Sequence, residues 1–178
     1  MTTHVALVGM MAVGKTTAGR AVADRLGARF VDTDELIEAR TGRTPRELWE
    51  DGGEAAYRPL ERDAVVEALA SPDPVVLAVP GGVAVDRAMA AHLDRPDVVT
   101  VHLRATEATL VERIGPTPRH RPLLGDDPAG AVARLLAERA GRYEALADAV
   151  VDIDDLTPEQ VGDRVVAVVG RVGRAEHH

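Results

Sequence analysis

Gly9-Met10-Met11-Ala12-Val13-Gly14-Lys15-Thr16 decides how this chain is read. The stretch satisfies G-x-x-x-x-G-K-[ST], the pattern of a loop that wraps phosphate groups. Its residue types follow from that task. The two glycines admit backbone angles closed to other residues, so successive N–H groups turn inward on an anion. A helix opening at the loop adds its positive end. Lys15 supplies a mobile ammonium for the outer phosphates, and Thr16 offers a hydroxyl to Mg²⁺. At position 12, Ala12 meets a requirement for a small residue only. The surroundings agree with the motif. The apolar run Val5 to Val8 reads as a buried strand before it, and Val22 and Leu26, four residues apart, mark a helix from about Lys15 to Leu26 after it.

Outward from the loop, strands and helices alternate to the end of the chain, which predicts an α/β fold on a parallel sheet. Arg29 to Val31 is a second strand, ending in Asp32-Thr33-Asp34. Helical signals then run to about Ala70, with a capping box at Thr44-Pro45-Arg46-Glu47. Val75 to Val79, Val98 to Leu103 and Ala149 to Ile153 read as three further strands, with a helix from about Asp86 to Leu93 and a second capping box at Thr157-Pro158-Glu159-Gln160. Asp32-Thr33-Asp34 stands at the carboxyl edge of the sheet, where ligands bind in open α/β folds. One carboxylate there suits metal-bound water, the other a substrate hydroxyl. The same residue types also cap helices, so a purely structural role stays open. From Gly115 to Pro128 the chain carries four prolines together with Arg119 and Arg121, and a loop of this kind in a compact domain is usually functional or disordered.

Composition narrows the partners. The chain has 178 residues, enough for one domain, and no cysteine, which excludes a disulfide framework, thiolate metal ligation and a cysteine nucleophile. A net charge of −8 argues against general nucleic-acid binding, which needs a basic face. No run is long and apolar enough to span a membrane, and no secretory leader is evident, so a cytoplasmic protein is expected. Of the 21 basic residues only Lys15 is a lysine, so the one lysine retained is the one in the loop.

Together these pieces resemble the shikimate kinase family over nearly the whole chain. The phosphate loop near the N-terminus and Asp32-Thr33-Asp34 are followed by Gly53-Glu54-Ala55-Ala56-Tyr57-Arg58-Pro59-Leu60-Glu61, similar to the family's G-E-x-x-[FY]-R-x-x-E. A third strand ends in glycines. Arg121-Pro122-Leu123-Leu124 resembles the lid motif R-P-L-L, and Arg139-Ala140-Gly141-Arg142-Tyr143 resembles R-x-x-x-Y. The resemblance implies one P-loop kinase domain over 1–172 with a tail at 173–178. It implies a five-stranded parallel sheet in the order 2-3-1-4-5 with helices on both faces, a substrate-binding region at about 33–61 and a lid at about 115–127.

It also implies site roles. Met11, Ala12, Val13, Gly14, Lys15, Thr16 and Thr17 would wrap the phosphates of ATP, with Arg121 closing over the nucleotide. Thr16 and Asp32 would hold Mg²⁺, Asp32 through its water shell. Asp34 would take the ring hydroxyl that receives the phosphate. Arg58 and Arg139 would clamp the carboxylate of shikimate, with Gly81 and Gly82 beside it. Lys15, Asp34 and Arg121 would carry catalysis in a monomer. Trp49 and Tyr57 would line the substrate pocket, or serve only as core. Arg119 matches its place in the lid poorly.

Two departures stand out. Pro80 replaces the first of the family's three glycines after the third strand, which is expected to reshape the cleft and keeps a kinase for another polyhydroxy acid, aminoshikimate- or gluconate-like, as the alternative. Asp152, Asp154 and Asp155 stand where the family often has a basic residue near the adenine, with either weaker ATP binding or a base held by main-chain contacts as the expected consequence. A catalytically idle nucleotide-binding protein is a third reading, opposed by the intact Lys15, Thr16, Asp32 and Asp34.

Overall fold

The computed structural model describes residues 3–115 and 122–175. β1 (His4–Val8) is buried at every position and forms the centre of the sheet. β3 (Val75–Ala78) and β4 (Val98–Arg104) flank it, and β2 (Arg29–Asp32) and β5 (Ala149–Asp152) take the edges, giving the order β2-β3-β1-β4-β5. Every pairing is parallel, with Leu7 opposite Ala78 and Val8 opposite His102. The valine-rich, non-alternating strands suit a sheet covered by helices on both faces. The last expected residues of two strands fall just outside them. Val79 and Ile153 nevertheless still donate their amides to Leu7 O at 3.0 Å and Arg104 O at 2.9 Å.

The connections are α1 (Lys15–Leu26), α2 (Thr33–Thr41), α3 (Pro45–Leu69), α4 (Gly81–Ala84), α5 (Arg87–Leu93), α6 (Glu107–Ile114), α7 (Pro128–Leu146) and α8 (Pro158–Ala175). Both capping boxes form. Thr44 N donates to Glu47 Oε2 at 2.8 Å while Glu47 N donates to Thr44 Oγ1 at 3.3 Å, and Thr157 and Gln160 exchange the same pair. Such caps are typically worth about 1 kcal/mol each. α3 is broken at Gly53, whose φ of 65° no helix contains. Its second half carries Tyr57, Arg58 and Glu61 along one side, because residues four apart share a helix face. Beneath that region Ile37, Tyr57 and Ala64 form a small core of their own, separate from the one around the sheet.

His102 on β4 is the odd member of the main core. It is 3% exposed, its ring lies 5.3 Å from that of Tyr143 on α7, and its Nδ1 has no hydrogen-bond partner among the described residues. Burial pushes its pKa down to about 4, against the smaller upward pull of Glu144, so it sits neutral in the fold. Unfolded, the same imidazole gains a proton below about pH 6.5. Its contribution to stability is therefore complete above pH 6.5 and is lost as the pH falls toward 4, by roughly 3 kcal/mol. Thermal unfolding between pH 7 and 4.5 should show a shallower loss of Tm in His102→Phe than in the parent chain.

Candidate active site

The sheet's carboxyl edge gathers the loop and both aspartates. Gly9 has φ 142° and Gly14 φ 96°, as the motif requires. The first angle accompanies a close approach: a Cβ at Gly9 would sit 2.5 Å from Leu103 O of β4. Ala12 corrects the expectation for its position. Its φ is 63°, a left-handed angle that favours glycine, so the position asks for more than small size. α1 begins at Lys15 with Gly14 as a cap that has no side chain, and the first helical bond runs from Ala18 N to Gly14 O at 2.9 Å. The amides of Lys15, Thr16 and Thr17 therefore lack partners within the helix. Lys15 Nζ bends over the loop, donating to Gly9 O at 2.8 Å and Met10 O at 2.9 Å. Val13 differs from Ala12 and Gly14 beside it, since its side chain is buried in the core.

A residue the sequence reading passed over completes this end. Arg113 of α6 donates to Val13 O at 3.1 Å and lines a pocket with Ala12, Gly14, Lys15, Thr16 and Thr17. Nothing in its local sequence marks it, because the contact spans a hundred positions of chain.

Beside the loop a cleft of about 480 Å³ is lined by Lys15, Thr16, Asp32, Asp34, Trp49, Tyr57, Arg58, Glu61, Gly81, Gly82 and Arg139, among others. Thr16 Oγ1 donates to Asp32 Oδ2 at 3.0 Å. Asp32 also caps α2, its Oδ1 accepting from Asp34 N at 3.0 Å, so the structural reading of this triplet holds alongside its place in the cleft. Asp34 accepts a 2.7 Å hydrogen bond from the Tyr57 hydroxyl. Burial raises its pKa above the usual carboxylate range and Asp32 adds to the rise, while Tyr57 opposes it. Burial and the facing Asp34 likewise raise the phenol of Tyr57, which stays protonated.

Across the cleft, Arg58 donates to Glu54 at 2.9 Å and Glu61 at 2.6 Å and lies 5.9 Å over the ring of Trp49. Glu61 is only 5% exposed, and burial raises its pKa despite Arg58. Burial works against the charge of Arg58, but Glu61 and Glu54 outweigh it. The guanidinium is thus held in place from behind, an arrangement the sequence motif contains without explaining. Gly81 and Gly82 have a steric reason to lack side chains. A Cβ at Gly82 would lie 2.3 Å from Arg58 Cζ, and one at Gly81 would lie 2.8 Å from the Tyr143 hydroxyl. That hydroxyl donates to Gly81 O at 3.0 Å, and the Arg139 guanidinium approaches the same turn.

Both departures have a local account in the fold. Pro80 is the N-cap of α4, its carbonyl accepting from Ala84 N at 3.0 Å, while the ladder bond before it comes from Val79. The N–H that proline lacks therefore leaves no partner of that ladder unserved. In the acidic turn, Asp152 pairs with Arg104 at 2.5 Å, and Asp154 accepts from the amide of Thr106, the N-cap of α6, at 2.9 Å. Those carboxylates are already engaged by neighbouring groups. Arg121, Arg119 and the rest of positions 116–121 of the expected lid lie outside the described residues.

A parallel sheet with a phosphate loop at its centre and two aspartates beside it defines a P-loop kinase. The shikimate kinase family model matches residues 11–170, and the chain belongs to that family. Shikimate kinase of Thermobifida fusca is 38% identical, covering 94% of this chain and 95% of the relative, and that of Streptomyces coelicolor is 43% identical, covering 88% and 90%. Among solved structures, shikimate kinase from Acinetobacter baumannii in complex with shikimate superposes with a TM-score of 0.87 at 26% identity, over 95% of this chain and 93% of that one. A gluconokinase from Sinorhizobium meliloti shares the fold, with a TM-score of 0.71 at 21% identity over 98% of this chain and 95% of that one.

Replacing Ala12 by glycine relieves a left-handed alanine at a small entropic cost in the unfolded chain. Ala12→Gly is expected to stabilise the fold by about 0.5–1 kcal/mol, read as a rise in Tm.

Proposed function

We propose that the chain transfers the γ-phosphoryl group of ATP to the 3-hydroxyl of shikimate, with the cleft residues divided between two substrates. The observation that carries this reading is the pairing, in one cleft, of the phosphate loop with two arginines opposite Asp34. The amides of the loop and of Lys15, Thr16 and Thr17, with the Lys15 ammonium, face the β- and γ-phosphates. Arg58 and Arg139 take the carboxylate, since a guanidinium matches it with two parallel hydrogen bonds. Gly81 and Gly82 let the backbone approach the same end of the substrate. Asp34 receives the acceptor hydroxyl, and its raised affinity for a proton suits it to take that proton as the oxygen attacks phosphorus. One O–P bond forms, the bond from the γ-phosphorus to the bridging oxygen breaks, and ADP leaves. Little covalent chemistry is asked of the protein, which supplies position and charge.

Mg²⁺ fits the residues present. Thr16 and Asp32 offer a hydroxyl and a carboxylate 3.0 Å apart, a hard oxygen pair that leaves room for water and phosphate ligands. Among the described residues no group of three or more His, Cys, Asp or Glu gathers as a cage. When bound, Mg²⁺ would neutralise charge building on the phosphates. Arg121 keeps the role of covering the nucleotide on the strength of its motif alone. The chain is taken to act as a cytoplasmic monomer. Among the described residues no helix is long and apolar enough to cross a membrane.

A coupled assay of ADP release with Mg²⁺ should show turnover that depends on shikimate and exceeds that with gluconate. Arg58→Ala and Arg139→Ala should each lose at least about tenfold in kcat/KM for shikimate while still binding ATP, the loss of a charged hydrogen-bonding partner. Unchanged values in both would refute the clamp. Gly82→Ala, whose methyl displaces the Arg58 guanidinium, should raise the KM for shikimate by about tenfold and leave that for ATP alone.

A further inference from the structure

The roles proposed for the cleft leave Tyr57 without one, although it is the residue that reaches Asp34. Its hydroxyl donates to Asp34 Oδ1 at 2.7 Å. The ring has little room to move. It is 4% exposed, packs with Ile37 and Ala64, and meets Trp49 edge-on with ring centroids 5.8 Å apart at 61°. Its neighbour in sequence is Arg58, itself held by Glu54 and Glu61. Consecutive residues of α3 therefore reach two points of the cleft that a single acceptor molecule must span: the arginine meant for its carboxylate and the aspartate meant for its hydroxyl.

We infer that Tyr57 is a positioning residue for phosphoryl transfer, engaging Asp34 Oδ1 so that Oδ2 is the oxygen presented to the acceptor hydroxyl. The inference rests on the role proposed above for Asp34. A carboxylate has acceptor positions enough to hold the phenol and a substrate hydroxyl together. Without the phenol oxygen, the Asp34 side chain regains freedom about its terminal torsion, which is soft for an aspartate. The acceptor would still be clamped by its carboxylate, but its hydroxyl would meet a less ordered partner. A contact of this kind affects the rate of the bound complex more than its formation, so its removal lowers kcat while KM stays nearly constant.

Tyr57→Phe keeps the ring and deletes one oxygen, and Asp34→Asn keeps the shape and removes the charge. Both are to be purified as the full chain, checked for cooperative thermal unfolding, and assayed for ADP release with Mg²⁺, ATP and shikimate. Asp34→Asn is expected to lose about a hundredfold or more in kcat. Tyr57→Phe is expected to lose about tenfold in kcat, with KM for shikimate and for ATP within about twofold of the parent. Wild-type activity in Asp34→Asn would remove the premise and the inference with it. A disabled Asp34→Asn beside a Tyr57→Phe of unchanged kcat, or one weakened only through KM, would overturn the inference and leave the role of Asp34 standing.

Discussion

At Gly9 the main chain passes so near Leu103 O of β4 that a side chain would lie 2.5 Å from it. The rest of the site depends on that approach. It turns the chain leaving the central strand across its neighbour, so the loop closes at Gly14 and α1 starts with its amides facing the sheet's carboxyl edge. Lys15 then stands over the loop rather than away from it, and Thr16 meets Asp32 from the end of β2. A parallel sheet places all its carboxyl ends on one side, which brings the third-strand turn at Gly81 to the same place.

The second organising effect is electrostatic. A chain of net charge −8 binds anions only where positive groups are concentrated locally. Here the concentration comes from helix amides, Lys15, Arg58, Arg139 and Arg113, placed by different elements around one edge. Arg58 would be costly to hold part-buried alone, and Glu61 behind it offsets that cost. Most other ion pairs, such as Arg46 with Glu50, are exposed and contribute little to the fold.

Tyr143 shows how the core and the site share residues. It is fully buried against β4, yet its hydroxyl anchors the Gly81 carbonyl at the rim of the cleft. His102 beneath it buries a polar atom without a partner, at a penalty of roughly 1–3 kcal/mol. The structure offers no compensating contact for that nitrogen among the described residues.

What could be read directly from the chain was whatever is local in sequence. The phosphate loop, both capping boxes and the buried strands each depend on residues a few positions apart, and period and turn chemistry specify them. Asp32 and Asp34 were legible because a strand end places them. Ala12 was misjudged because composition does not reveal a backbone angle. The contacts of Arg113 with Val13, Tyr57 with Asp34, and Arg58 with Gly82 had no local signature. They join segments from 23 to 100 positions apart, and the distance between such segments is set by how the helices pack on the sheet. The sequence by itself thus determined the phosphate-loop pattern and the residues that strand ends and helix starts bring to the sheet's carboxyl edge. Tertiary structure alone decided which of those side chains are held, by what and how firmly, because burial and distance arise only once the layers have closed.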